Sequence, residues 1–148
     1  MESPQFEIRH GLVMEREDVY ALVRSVHGDT DGLDPSQCIV ASHAGKVVGC
    51  VRVKYLSDGT AVLTSLGVHP DYRKRGIGSQ MIQKLLQIYL VRPLFILCFP
   101  ELEIFYQQSG FEKISVSELP PILQAEFQKH KQRTKHDVLC MVIRDLGM

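Results

Sequence analysis

The residues best suited to chemistry lie between an apolar strand end and an amphipathic helix, in the stretch LGVHPDYRKRGIGSQMIQKLLQIYL from Leu66 to Leu90. Leu66, Gly67 and Val68 lead through His69 and Pro70 into a basic, glycine-punctuated turn: Arg73, Lys74, Arg75, Gly76, Ile77, Gly78 and Ser79. The first turn of a helix leaves backbone N–H groups without intrahelical acceptors, at the positive end of the macrodipole. Glycines there let a ligand approach the backbone and permit left-handed dihedrals. Three cations add charge. This is the chemistry of a phosphate cradle, and a diphosphate suits it. A plain helix start with solvated cations would need neither the two glycines nor the three basic residues.

Two common cradles do not fit. A P-loop ends in Gly-Lys-Ser/Thr, which does not occur here. A dinucleotide fingerprint needs a third glycine and the first strand of a domain. Here Gly76-Ile77-Gly78 continues through Ser79 and Gln80 to Met81, in mid-chain. The arrangement that fits is Arg-x-x-Gly-x-Gly from Arg73 to Gly78, preceded by Val68-x-Pro70-x-Tyr72. It resembles the acetyl-CoA signature of the GNAT superfamily of N-acetyltransferases. A second string, Phe105-Tyr106-Gln107-Gln108-Ser109-Gly110-Phe111, resembles that family's Phe-Tyr-x-x-x-Gly-Phe signature at matching spacing.

The resemblance covers nearly the whole chain and implies one N-acetyltransferase domain over residues 1–148. The implied fold is α/β (α+β): a mixed, mostly antiparallel sheet of about six or seven strands with helices on both faces. A parallel strand pair splays around acetyl-CoA, the cosubstrate, and no metal is needed. The turn amides of Arg73 to Ser79 would hold the diphosphate. The backbone of Leu66, Gly67 and Val68 would pair with the pantetheine and offer an oxyanion donor to the thioester. Tyr106, four residues before Gly110, corresponds to the family's thiolate-facing tyrosine and is the candidate general acid. The alternative is a tyrosine packed under the cofactor without proton transfer. Many relatives carry a glutamate base near position 62, where this chain has Val62. Deprotonation of the amine then falls to an ordered water, or to His69, Glu101 or Glu103.

The C-terminal third is more narrowly similar to the acetyltransferase domain of N-acetylglutamate synthases, through a Leu-Phe-x-Leu strand, a Leu-Pro segment and a closing strand. That likeness favours a small-molecule amine or amino acid as acceptor. Dimers are frequent in the family, so a homodimer is one expected state. Two other functions stay open: acetylation of a protein or peptide, and a non-catalytic acyl-CoA-binding domain that kept the cradle and lost turnover. No acidic run marks a groove for a basic peptide, whereas the absent glutamate keeps the non-catalytic reading alive.

The elements that must position these residues can be read from pattern. The chain has 148 residues, 45% of them hydrophobic, and a formal net charge of +0. Nothing global argues for nucleic acid or an anionic membrane. No apolar run reaches membrane-spanning length, and the start shows no signal-peptide core. Cys38, Cys50, Cys98 and Cys140 are scattered in strand-like contexts and read as reduced core residues of a cytoplasmic protein, without paired zinc ligands. Phe6–Arg9 reads as a strand, and about 15–26 as a helix with Val19, Leu22, Val23 and Val26 inward. The loop 28–36 carries aspartates, but glycine and glutamate are missing from the calcium-loop positions, so turn chemistry explains them better.

Strands over 37–42 and 46–56 form a hairpin at Ala44-Gly45, with Arg52 and Lys54 opposite Val51, Val53 and Tyr55. Asp58-Gly59 turns into a strand over 61–68. Its apolar phase slips by one residue near Thr64-Ser65, as a β-bulge would produce, and the family is known for a bulge in its fourth strand. Ile77, Met81, Ile82, Leu85, Leu86 and Tyr89 share one helical face. Leu94–Phe99 reads as a strand covered on both faces. A helix over 101–109, a strand over 111–116, a helix after Pro121 and a strand over 138–144 complete the chain. The basic run Lys129, His130, Lys131, Arg133, Lys135 and His136 reads as solvated surface, or as a site for an acidic acceptor if the synthase likeness extends that far.

Overall fold

A computed structural model describes residues 6–134 and 137–144. The elements in chain order are β1 (Glu7–His10), α1 (Arg16–Ser25), β2 (Cys38–His43), β3 (Lys46–Tyr55), β4 (Ala61–Val68), α2 (Ile77–Ile88), β5 (Leu94–Cys98), α3 (Glu103–Gln107), β6 (Glu112–Ile114), α4 (Pro121–Thr134) and β7 (Leu139–Ile143). The strands form one seven-stranded sheet in the order β1-β2-β3-β4-β5-β7-β6. β1/β2, β2/β3, β5/β7 and β6/β7 are antiparallel. β4 and β5 are parallel, paired at Ala61–Leu94 and Val62–Phe95. This is the expected mixed sheet with one parallel pair. Contacts divide the chain into two compact units, 1–53 with 64–89 and 54–63 with 90–148.

In the first unit, strand alternation sorts side chains onto two covers. Cys38, Val40 and Cys50 face Val19, Leu22 and Val23 of α1. On the opposite side of β3, a Cβ at Gly49 would lie 2.9 Å from Met81 Cε, so α2 lays its methionine thioether directly over the strand at this glycine. Ile77, Met81, Ile82 and Leu85 are buried, as their shared helical face predicts, while Leu86 and Tyr89 are half-buried. The hairpin closes with positive φ at both Ala44 (52°) and Gly45 (78°), the backbone of a two-residue turn that matches strand twist.

In the second unit, Val62, Phe95, Cys140 and Val142 pack against Leu123 and Phe127 of α4. Two expected elements are shorter than their pattern. The helix over 101–109 is a 3-10 turn at Pro100–Leu102 followed by α3, because the amides of Ser109 and Phe111 turn back onto the carbonyl of Tyr106. The strand over 111–116 is only β6, because Glu118 takes the Ser115 N–H at 2.8 Å and starts another 3-10 turn. In the basic run, Lys135 and His136 lie outside the described residues, and Lys129, Lys131 and Arg133 are exposed on α4.

The strand pattern misplaces two residues: Tyr55, grouped with Val51 and Val53, is 55% exposed at the strand end, and Arg52 is buried. Arg52 does not face solvent; it is 4% exposed. Every residue from Val47 to Val53 is buried, because β3 is covered on both faces. A central strand leaves no wet side for an arginine.

Candidate active site

The turn expected to hold phosphate has the backbone of an anion nest. Lys74 (φ 63°) and Gly76 (φ 76°) are both left-handed, and Gly76 caps α2 without any side-chain hydrogen bond. Alternating dihedrals of this kind turn successive N–H groups toward one concavity. None of the backbone amides from Lys74 through Ser79 donates to a carbonyl of the described residues; the first amide to do so is that of Gln80, to Gly76 O at 3.1 Å. Unmade donors at a helix start need an outside acceptor, and water or an oxyanion supplies it.

The cations around the nest are aimed by their neighbours. Arg73 donates its Nε–H to the Val68 carbonyl at 3.1 Å, which ties the turn to the end of β4. The Arg75 guanidinium lies 5.4 Å from the Tyr72 ring centroid, a cation–π distance. Tyr72 is held in turn by His43, whose Nδ1 is 3.2 Å from its hydroxyl. His69 caps the Pro70–Tyr72 turn, accepting the Asp71 N–H on Nδ1 at 3.1 Å. One ring nitrogen of His69 is therefore engaged in turn structure.

The slip near Thr64-Ser65 is present as a left-handed Ser65, φ 61°, inside β4. A non-glycine residue there is strained unless its surroundings hold it. Arg52 does so. Its Nε–H donates to Ser65 Oγ at 2.9 Å, and its Nη2 donates to the carbonyls of Asp29 (3.1 Å) and Asp31 (2.8 Å). Ser65 donates its hydroxyl to Asp29 O at 2.6 Å, and Cys50 donates its thiol to Ser65 O at 3.3 Å. Arg52 is the residue that sequence reasoning missed. The available signal was the unbroken apolar run Val47–Val51 ahead of it, which marks a strand with no solvent face.

The aspartates of the 28–36 loop are occupied in turns. Asp29 Oδ1 accepts from Asp31 N at 2.9 Å, and Asp34 Oδ1 accepts from Ser36 N at 3.0 Å. Position 62 is a core position: Val62 is 8% exposed among Phe95, Leu119 and Leu123.

In the second unit, Tyr106 is 4% exposed, with its ring edge-on to Phe105 and Phe111. Burial raises its phenol above the ordinary value, with Cys98 adding to the effect. Its hydroxyl has no hydrogen-bond partner among the described residues, yet no fully buried side-chain oxygen among them lacks one. The hydroxyl oxygen is therefore not fully sealed from solvent, although the residue as a whole is buried. Glu103 accepts from Gln107 Nε2 at 3.1 Å on the exposed face of α3.

Comparison with known proteins follows the same lines. The sequence model described as Acetyltransferase (GNAT) domain matches residues 34–113. An acetyltransferase of Sodalis glossinidius is 47% identical over 53 residues, 35% of this chain and 36% of that protein. An uncharacterized N-acetyltransferase of Chlorobaculum tepidum is 26% identical over 106 residues, 70% of this chain and 67% of that one. The N-acetylglutamate synthase of Neisseria gonorrhoeae, solved with coenzyme A and N-acetyl-glutamate, shares the fold at TM-score 0.78 and 18% identity, over 97% of this chain and 36% of the synthase. The diaminobutyrate acetyltransferase of Paenibacillus lautus, solved with L-2,4-diaminobutyric acid and coenzyme A, shares it at TM-score 0.65 and 18% identity, over 99% and 98%. The match to the Sodalis relative and that to the Neisseria synthase each span about a third of the other protein's length. With the family pattern running from the loop before β2 into β6, more than half its length, the chain belongs to the GNAT acetyltransferase family.

Proposed function

We propose that residues 1–148 act as one acetyl-CoA-dependent N-acetyltransferase domain that acetylates a primary amine of a small molecule or amino acid. The observation that carries this reading is the run of undonated amides from Lys74 to Ser79, with left-handed Lys74 and Gly76 and three cations beside it. That set fits a diphosphate: many short-range donors, net positive charge, and no side chain in the way, since a Cβ at Gly76 would meet nothing nearer than Gln80 Nε2 at 4.0 Å. Acetyl-CoA, when bound, supplies an acyl thioester open to attack by an amine.

The chain's own residues then have separate tasks. The amides of the nest hold the diphosphate, and Arg73, Lys74 and Arg75 neutralise it. The backbone of Leu66, Gly67 and Val68, just past the bulge, holds the pantetheine and donates to the oxygen that gains charge. Tyr106 stays protonated at neutral pH because burial raises its phenol, and it donates that proton to the departing sulfur. Desolvation raises a thiolate's proton affinity as it does a phenol's, which keeps the two in range of each other. The new bond is N–C, the broken bond C–S; the amine's proton leaves to water, and Tyr106 is reprotonated from solvent. No carboxylate replaces Val62 in this scheme, so the acceptor is an amine that loses its proton without a strong protein base.

The amino-acid ligands of the Neisseria and Paenibacillus proteins support an acceptor of that class. Four buried free thiols support a reducing, cytoplasmic setting. Calorimetric titration with coenzyme A, followed by a thiol-release assay over a panel of amino acids, diamines and peptides, tests the proposal. Binding with turnover on amino acids is the expected result. Binding without turnover on any amine would favour a non-catalytic acyl-CoA domain, the reading that the apolar Val62 favours. No heat with coenzyme A from folded protein would remove both.

A further inference from the structure

We infer that Arg52 is a positioning residue for acetyl transfer: its guanidinium clamps the Asp29–Asp31 loop onto the Ser65 bulge and so sets the direction of the Leu66–Val68 backbone. The inference rests on the reading that this backbone holds the thioester.

Three observations carry it. First, the contacts are directed at one feature. The Nε–H of Arg52 goes to Ser65 Oγ (2.9 Å) and its Nη2 to Asp29 O (3.1 Å) and Asp31 O (2.8 Å), while Asp29 Oδ2 lies 3.5 Å from Nη2. Ser65 closes the ring by donating to Asp29 O at 2.6 Å. Second, the feature needs holding. Ser65 is left-handed within a strand, a conformation that side chains other than glycine's adopt at a cost. A residue held so turns its flanking peptides out of the regular ladder, and Leu66, Gly67 and Val68 follow directly. Third, the segments flanking the clamp pack closely against α1. A Cβ at Gly28 would be 2.9 Å from Val23 Cγ1 and 3.7 Å from Ser65 Cα, and one at Gly67 would be 3.1 Å from Val26 Cγ2. Both glycines leave room for valine side chains of the α1 segment beside this point.

Charge alone does not explain the choice of arginine. Its planar fork serves several acceptors in fixed directions, whereas the ammonium of lysine is a point charge on a flexible stem. A buried arginine is also a costly way to fill a strand position unless its geometry is needed. The clamp bonds at Arg52 join segments separated by 13, 21 and 23 residues.

The test compares wild type, Arg52→Lys, Ser65→Ala and the double variant in three readouts: steady-state kinetics, coenzyme A affinity by calorimetry, and amide hydrogen exchange of the 65–68 segment. The expected result for Arg52→Lys is a kcat lower by about tenfold or more. Coenzyme A affinity should change less than about threefold, because the nest at residues 74–79 is untouched. Exchange at 65–68 should quicken while α2 stays protected. The double variant should lose less than the sum of the two single losses, since both singles remove the Arg52–Ser65 contact. Unchanged kcat and exchange, additive losses, or a coenzyme A affinity that falls as far as kcat would each overturn the inference. Should Arg52→Lys not fold, Ser65→Ala decides by the same criteria. Wild-type protein that binds no coenzyme A would overturn the underlying reading as well, whereas normal wild-type turnover with unaffected variants overturns the role of Arg52 alone.

Discussion

Arg52 Nε lies 2.9 Å from Ser65 Oγ, so a buried charge and a left-handed strand residue each supply what the other needs. The arginine gains an acceptor inside the protein, and the serine gains a reason to stay at φ 61°. Replacing Arg52 by Met takes the guanidinium donor away from Ser65 Oγ and from the carbonyls of Asp29 and Asp31, and leaves only the Ser65 hydroxyl to tie the bulge to Asp29 O. We expect a loss of about 2–4 kcal/mol in urea unfolding. Ser65→Gly should be milder than Ser65→Ala by about 1 kcal/mol, because glycine adopts the left-handed backbone freely. Equal effects of the two substitutions would mean that φ is not under strain.

The nest makes a separate prediction. Gly76→Ala places a Cβ at φ 76° in open space, so its cost is backbone strain rather than collision. Stability should fall by about 1–2 kcal/mol and coenzyme A affinity by about tenfold or more, read by thermal unfolding and calorimetry. Arg75→Gln should weaken binding most at low ionic strength and least in high salt, since its contribution is screened. A salt-independent loss would argue that Arg75 acts through its packing on Tyr72.

Tyr106→Phe removes a hydroxyl without a partner among the described residues, so melting temperature should stay nearly constant. Turnover should fall by about tenfold to a hundredfold with coenzyme A affinity retained. The pH profile carries a further check. Burial raises this phenol, so it keeps its proton through the ordinary alkaline range. Wild-type kcat should show no loss from Tyr106 ionisation below about pH 10. Full activity in the phenylalanine variant would reduce Tyr106 to packing.

Arg9 grips Glu15 with both guanidinium nitrogens, Nη1 and Nη2 each 2.9 Å from a carboxylate oxygen, and Glu15 also takes the Leu12 N–H at 2.8 Å. The hydrogen bond from Arg9 holds the Glu15 carboxyl below its ordinary value. A lowered folded-state value stabilises the protein above the unfolded pKa, and that contribution disappears as pH falls through the folded one. Glu15→Gln should therefore destabilise at pH 6–7, and the gap to wild type should close below about pH 4 in urea titrations. A gap that stays constant however far the pH is lowered would assign the effect to shape rather than charge.

Burial pushes the thiols of Cys38 and Cys140 up to about 11 and those of Cys50 and Cys98 up to about 12. Thiolates are the reactive form, so iodoacetamide at pH 8 should label native protein slowly and unfolded protein at the ordinary rate. Fast labelling of one cysteine, located by peptide mass, would reveal local opening at that strand.

Much of the site was legible in the chain because its signals are local. A left-handed Gly76 and an amphipathic face on α2 act within a few residues of each other and match their pattern, whereas the left-handed Lys74 has no glycine to announce it. The phase slip at Thr64-Ser65 was visible for the same reason: alternation breaks in the strand itself. Arg52 was illegible because alternation alone assigns a face, and only burial on both sides of β3 denies that face its water.

By itself, then, the sequence settles the nest between β4 and α2, the glycine-bearing turns and the family. Their causes are short-range sterics and hydrogen bonding along contiguous backbone. What the tertiary structure alone decides is which distant groups meet. It places β7 between β5 and β6, brings the carbonyls of Asp29 and Asp31 to a guanidinium, and buries Tyr106 between Phe105 and Phe111. A buried polar group takes whichever partner the folded chain delivers, and periodicity along one strand holds no record of that delivery.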